Sequence, residues 1–119
     1  MKTSFLFVFA RPPYASLQVQ ELLDMAMTAA AFDHPVSLLL IDDGVYNLTS
    51  GHRPELSDCK DIKPVFESLE LYDIEQIFVE AESLSERNLT PKELGLAVEL
   101  RNRSEIAVLL NQHRVIVNV

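Results

Sequence analysis

Two largely apolar runs constrain this chain more than anything else in it. "TSFLFVF" (Thr3–Phe9) and "VSLLLI" (Val36–Ile41) carry apolar residues at successive positions rather than at alternate ones. A strand with one wet face alternates, because successive side chains point to opposite sides; a strand buried on both faces does not. Both runs therefore read as strands of a parallel sheet covered on both sides, which requires helical crossovers between them. The intervening segment supplies one. A helix is expected from about Tyr14–Ser16 to Phe32, with Ser16 available as N-cap. Leu22, Leu23, Ala26, Ala29 and Ala30 recur at helical spacing on its inner face, and the alanines permit close approach to a sheet. Asp33-His34-Pro35 ends it.

The rest of the chain repeats this alternation. Asp42-Asp43-Gly44 closes the second strand, and Val45 to Leu56 reads mostly as a loop, with room for a short helical turn. A helix is expected from about Asp58 to Leu69, with Ile62, Val65, Phe66 and Leu69 facing inward. Pro64 fits only in its first turn, which favours a start near Asp61. Ile74–Glu80 reads as the third strand. Thr90-Pro91-Lys92-Glu93 has the form of a capping box opening a short helical turn. Leu96–Leu100 reads as the fourth strand, Ser104–Asn111 as a helix with Ile106, Leu109 and Leu110 inward, and Arg114–Val119 as the last strand. The order predicts an α/β fold: one domain over residues 1–119, a three-layer sandwich around a parallel sheet of about five strands with right-handed crossovers.

Charge excludes one class of partner. Eighteen acidic against ten basic side chains give a net charge of −8, and the cations are scattered. Such a chain repels a phosphate backbone, so direct nucleic-acid binding is not expected. The single cysteine, Cys59, cannot form an intramolecular disulfide, and a reducing cytoplasm is its expected setting. Met1–Ala10 runs into Arg11-Pro12-Pro13 without a small-residue cleavage site and reads as a strand rather than a signal peptide. No apolar run approaches the roughly 18 residues of a membrane span.

In open α/β sheets, ligands sit beyond the carboxyl ends of the strands. Asp42-Asp43-Gly44 stands there, as a Mg²⁺ or phosphoacceptor site or as a turn using Asx chemistry. A receiver-type site needs its acidic pair after the first strand, where this chain has Ala10-Arg11-Pro12, and the turn reading is favoured. Cys59 has Lys60 and Lys63 near it, but also Asp58 and Asp61, and it lies off any strand end. An incidental thiol is favoured over a reactive one. His34, His52 and His113 are far apart, which does not support a zinc site. Gly44, Gly51 and Gly95 form no phosphate loop. Glu80, Glu82 and Glu86, just beyond the third strand, could be an acid/base pair or a solvated or interfacial face, and the second is favoured. No cofactor is implied. A ligand-capable sheet end with nothing reactive mounted on it fits an interaction subunit better than an enzyme.

Four stretches together carry a resemblance. "FVFARPPY" (Phe7–Tyr14), "LIDDGVYNL" (Leu40–Leu48), "LYDIEQIFVEAESLSERNL" (Leu71–Leu89) and "LLNQHRVIVNV" (Leu109–Val119) resemble the TusC/DsrF proteins of the DsrE/F-like superfamily, in the same order and over essentially the whole chain. The resemblance implies a DsrE/F-like domain in a cytoplasmic heterohexamer with two copies each of TusB-, TusC- and TusD-like chains. That assembly relays persulfide sulfur from a TusA-like to a TusE-like protein, for 2-thiolation of the wobble uridine of tRNA; DsrF counterparts serve dissimilatory sulfur oxidation. TusD-like chains carry their sulfur on a cysteine just after the third strand. Matching that stretch to "EAESLSERNL" puts Glu80 in the cysteine's place and Arg87-Asn88 where an Arg-Gly pair is usual. Ala15 likewise replaces a common glycine. Glutamate cannot carry a persulfide, and a carboxylate there would raise a neighbouring thiol's pKa and repel an incoming thiolate. The resemblance thus implies a noncatalytic subunit, with no metal, whose role is contact with sister chains. Asp43, Val45, Tyr46, Leu71 and Tyr72 are the expected contact residues. A sulfurtransferase using Cys59 is the alternative.

Overall fold

All strand pairs are parallel, as the largely apolar runs demand. The five strands are β1 (Phe5–Phe9), β2 (Val36–Leu40), β3 (Gln76–Glu80), β4 (Glu99–Arg101) and β5 (Val115–Asn118), in the spatial order β4-β3-β2-β1-β5. The structure is a computed structural model and describes residues 3–12, 18–49, 63–74, 76–95 and 97–118. Its helices are α1 (Gln18–Ala31), α2 (Lys63–Glu67), α3 (Ala81–Glu86) and α4 (Arg103–Gln112), with 3₁₀ segments at Asp42–Leu48, Leu69–Tyr72 and Pro91–Leu94. Among the described residues no helix is long and apolar enough to cross a membrane.

The two-residue period of the strands divides the apolar runs between two cores. Phe7, Phe9, Leu38, Leu40, Ile77 and Val79 face Val19, Leu22, Leu23 and Ala26 of α1, with Phe66, Leu69 and Leu84 beside them. Leu6, Val8, Leu39 and Phe78 face the other way, against Ile106 and Leu109 of α4. Each fully buried side chain contributes about 1.5–3 kcal/mol. The central strands β1 and β2 are therefore apolar on both faces, with Ser37 of β2 the one polar residue between them.

Connectivity places the ligand-capable crevice. From β1 to β4 the chain steps along the sheet in one direction, and the apolar residues of α1, α2 and α3 lie on one face. From β4 it turns back past β1 to β5, and α4 crosses the opposite face. The exits from β3 and β4 thus diverge to opposite sides of the sheet. Such a switch point opens a crevice at the carboxyl ends of the two strands.

Local expectations were met unevenly. Ser16 falls outside the described residues, as do Asp58, Asp61 and Ile62 of the expected second helix. The described part of that helix is α2, with Pro64 as its second described residue, followed by the 3₁₀ turn. β3 begins two residues later than expected, because Asp73 at φ 63° turns the chain left-handed before the buried Ile74. Thr90 makes no side-chain cap; its hydroxyl donates to the Glu93 carboxylate at 3.2 Å instead. Gly95 ends that turn at φ 71°, and the fourth strand accordingly starts at Glu99 rather than Leu96. The short helical turn allowed after β2 is a seven-residue 3₁₀ helix, Asp42–Leu48, which begins three residues before Val45.

Helix α4 starts at Arg103, one residue before the expected Ser104, because Asn102 caps it. The Asn102 side chain accepts the Glu105 N–H at 2.9 Å, and Glu105 accepts the Asn102 N–H at 2.9 Å. Asn102→Ala should lower stability by about 1 kcal/mol in urea denaturation. An unchanged midpoint would show that α4 is held by packing alone.

Candidate functional site

The crevice at the switch point is filled from within. Glu80, the last residue of β3, shares the sheet face of Phe78 and so points toward α4. It is only 7% exposed. Ser83, within the first turn of α3 and fully buried, donates its hydroxyl to Glu80 Oε1 at 2.6 Å. The same hydroxyl accepts the Asp42 N–H at 2.8 Å. Asp42 stands at φ 50°, left-handed, which an aspartate tolerates better than most residues. One serine thus joins the carboxyl ends of β2 and β3.

Arg103 closes the crevice from the other side. It is the first residue of α4; its Nε lies 3.3 Å from Glu80 Oε1 and its backbone N–H donates to Glu82 Oε2 at 3.2 Å. Its second guanidinium nitrogen pairs with Glu86. The charge of Glu80 first, then the hydrogen bond to Glu86, raises the Arg103 pKa above its ordinary value. Three carboxylates that the sequence leaves as a free acidic face are therefore gathered on one guanidinium and one helix end. Glu82 Oε1 is buried without a hydrogen-bond partner.

The neighbouring segment is seated on β1. Gly44 lies so close to the end of β1 that a Cβ there would fall 1.8 Å from the Phe9 carbonyl oxygen. Asn47, fully buried, donates from Nδ2 to Arg11 O at 3.0 Å and Gly44 O at 2.9 Å. Arg87 pairs with Asp43 at 3.1 Å and donates to Ser83 O at 3.1 Å. Asn88 follows at φ 54°, the backbone state in which glycine is favoured.

The expected contact residues do not form one patch. Val45 is corrected outright: it is fully buried and belongs to the α1-side core, because the 3₁₀ turn swings it inward. Asp43 is exposed and Tyr46 half-buried, both beyond the carboxyl end of β2. Leu71, 84% exposed, and Tyr72 precede β3 and lie toward the amino end of the sheet. A five-residue strand separates such ends by roughly 16 Å. Cys59, Ala15 and His52 lie outside the described residues.

Other candidate chemistry is engaged elsewhere. The Asp42 N–H is bound to Ser83 and the Asp43 carboxylate to Arg87. Among the described residues no group of three His, Cys, Asp or Glu could hold a metal ion. His34 Nδ1 accepts the Thr3 N–H at 3.4 Å, and His113 donates from Nδ1 to Leu109 O at 2.9 Å. Sequence reasoning missed Ser83 and Arg103. Ser83 had a weak signal, three residues after a strand-ending glutamate. Arg103, 23 residues from Glu80, had none.

Comparison with known proteins gives the family and the fold. Residues 3–119 match the model of the DsrE/DsrF-like family. The chain is 33% identical over 113 residues to "Protein TusC homolog" of Pseudomonas aeruginosa, covering 95% of each chain. It is 39% identical over 114 residues to the "Protein TusC homolog" of Haemophilus influenzae, covering 94% of each. With "Intracellular sulfur oxidation protein DsrF" of Allochromatium vinosum it shares 34% identity over 90 residues, 76% of this chain and 66% of that one. The crystal structure of the ychN protein from E. coli matches the whole of both chains with a TM-score of 0.76 at 17% identity, a likeness of fold.

Proposed function

Because the chain belongs to the DsrE/DsrF-like family, in its TusC/DsrF group of sulfur-relay proteins, we propose that it is a noncatalytic subunit of a TusBCD-like complex. In that role it binds TusB- and TusD-like chains in a cytoplasmic heterohexamer. The complex passes persulfide sulfur from a TusA-like to a TusE-like protein, toward 2-thiolation of the wobble uridine in tRNA.

One observation carries the noncatalytic reading. The position at the end of β3, matched to a sister chain's cysteine, holds Glu80, buried and tied to Ser83 and Arg103. A persulfide needs an accessible thiolate beside positive charge. Here the guanidinium is already shared by Glu80 and Glu86, and these carboxylates would repel an arriving thiolate. The chain's contribution is then surface, with Asp43 and Tyr46 at one end of the sheet and Leu71 and Tyr72 toward the other.

Co-expression with TusB- and TusD-like chains tests the reading. The three should co-purify, and Cys59→Ser should relay sulfur at the wild-type rate in the reconstituted complex. A stable monomer ignoring both partners would overturn the assignment. A loss of about tenfold or more in Cys59→Ser would make Cys59 the persulfide carrier. The DsrF relative favours a second reading, the same subunit role in dissimilatory sulfur oxidation. Restoration of 2-thiouridine in cells lacking their own TusC separates the two.

A further inference from the structure

The strand order leaves one side of the sheet uncovered. On the face packed by α1, the helix crosses from β1 to β2, and β5 lies beyond β1 on the side away from it. An open groove of about 400 Å³ results between α1 and the β1–β5 edge. Phe5 and Val117 form its floor, and Met25 and Phe32 stand on its wall, 51% and 74% exposed. Past Met25 it continues alongside Glu21 to Asn118.

Two further features mark this side as a contact face. The outer edge of β5, "VIVN", carries no charge, whereas the opposite edge strand, β4, is three residues long and carries Glu99 and Arg101. Natural sheets guard exposed edges with charge, and an unguarded apolar one beside a groove is a docking surface. The groove also has a sign. Glu21 and Asp24 line it, and among the described residues no lysine or arginine does. A second copy docking by two-fold symmetry would set these carboxylates against their equivalents, on chains of charge −8 each. The complementary occupant is apolar at its centre and rimmed by lysine or arginine.

We propose that the α1–β5 groove is the seat of a sister subunit, one that inserts an apolar segment between Met25, Phe32 and Val117 and surrounds it with basic side chains. This rests on the chain being a subunit of a relay complex, and it adds a face that the sequence did not single out.

The test uses the full chain co-expressed with TusB- and TusD-like chains. Met25→Glu/Phe32→Glu, at exposed positions, should retain at least about tenfold less of one sister chain, with an unchanged circular dichroism spectrum. Asp24→Lys should weaken retention and reduce its salt dependence. If both variants hold the sister chains as wild type does, the groove proposal is wrong while the subunit assignment stands. If the wild-type chain binds neither, both fail. If the isolated chain is a dimer that Met25→Glu/Phe32→Glu converts to monomer without loss of sister binding, the occupant is a second copy and the assignment of a basic partner is overturned.

Discussion

Gly44→Ala should lower stability by about 3–5 kcal/mol or prevent folding altogether. The added methyl would fall 1.8 Å from the Phe9 carbonyl oxygen and 2.5 Å from its carbon. Neither is a flexible side-chain end. Phe9 is the last residue of β1, which is paired on both sides, and its carbonyl accepts the Ile41 N–H at 3.0 Å. Gly44 cannot retreat either. Its own N–H donates to Ile41 O at 2.8 Å, and its carbonyl accepts from the buried Asn47. Relief of the clash must therefore unseat the segment after β2, with loss of these bonds and of the packing of Val45 and Leu48. Thermal unfolding should show a fall of more than about 10 °C. A fall of only a degree or two would mean that this segment moves freely relative to β1.

Ser83→Ala should cost about 2–3 kcal/mol, far more than a serine usually contributes. The hydroxyl is both donor and acceptor between two strand ends, so its removal strips two groups at once. Glu80, buried, keeps only Arg103, and the Asp42 N–H loses its acceptor at 2.8 Å. Leaving the buried Glu80 carboxylate short of a partner is what makes such a change expensive. A double-mutant cycle with Glu80→Ala isolates the pair, because Ser83 has no reason to donate once the carboxylate is gone. The expected coupling is about 1–2 kcal/mol by chemical denaturation. Additive effects would show that the two residues act independently. The surface pair Arg87–Asp43, with Asp43 half-exposed, should by contrast matter little.

What the sequence disclosed follows from how far each force reaches. β1 and β2 are announced by runs of apolar residues, and α1 by apolar spacing, since burial on a known face leaves a local pattern. The apolar run Ile74–Glu80 located β3, and family resemblance matched Glu80 to the position of a sister chain's cysteine. Helix α3 escaped notice: "AESLSE" has one large apolar residue, and its helical state is imposed by Leu84 packing into the core. The network around Glu80 was also illegible, because Arg103 arrives from another element across the crevice. Local reading saw three carboxylates and inferred a solvated or interfacial face. The structure supplies a cation that no spacing rule could have named. Val45 failed for the related reason that its neighbours, Asp43 and Tyr46, are surface residues while the 3₁₀ turn sends it inward.

The pairing of β5 with β1 has a consequence in time. Residue 115 bonds to Ser4, and the neighbouring Arg114–Ser4 contact spans 110 positions of sequence. At ribosomal speeds of roughly 5–20 residues per second, β1 is complete on the order of ten seconds before its outer neighbour exists. During that interval "FLFVF" can pair with β2 on one side only. The most aromatic strand of the chain then presents an open edge, the kind from which misassembly starts. Pairing of β5 with β1 is the clasp that ends this exposure.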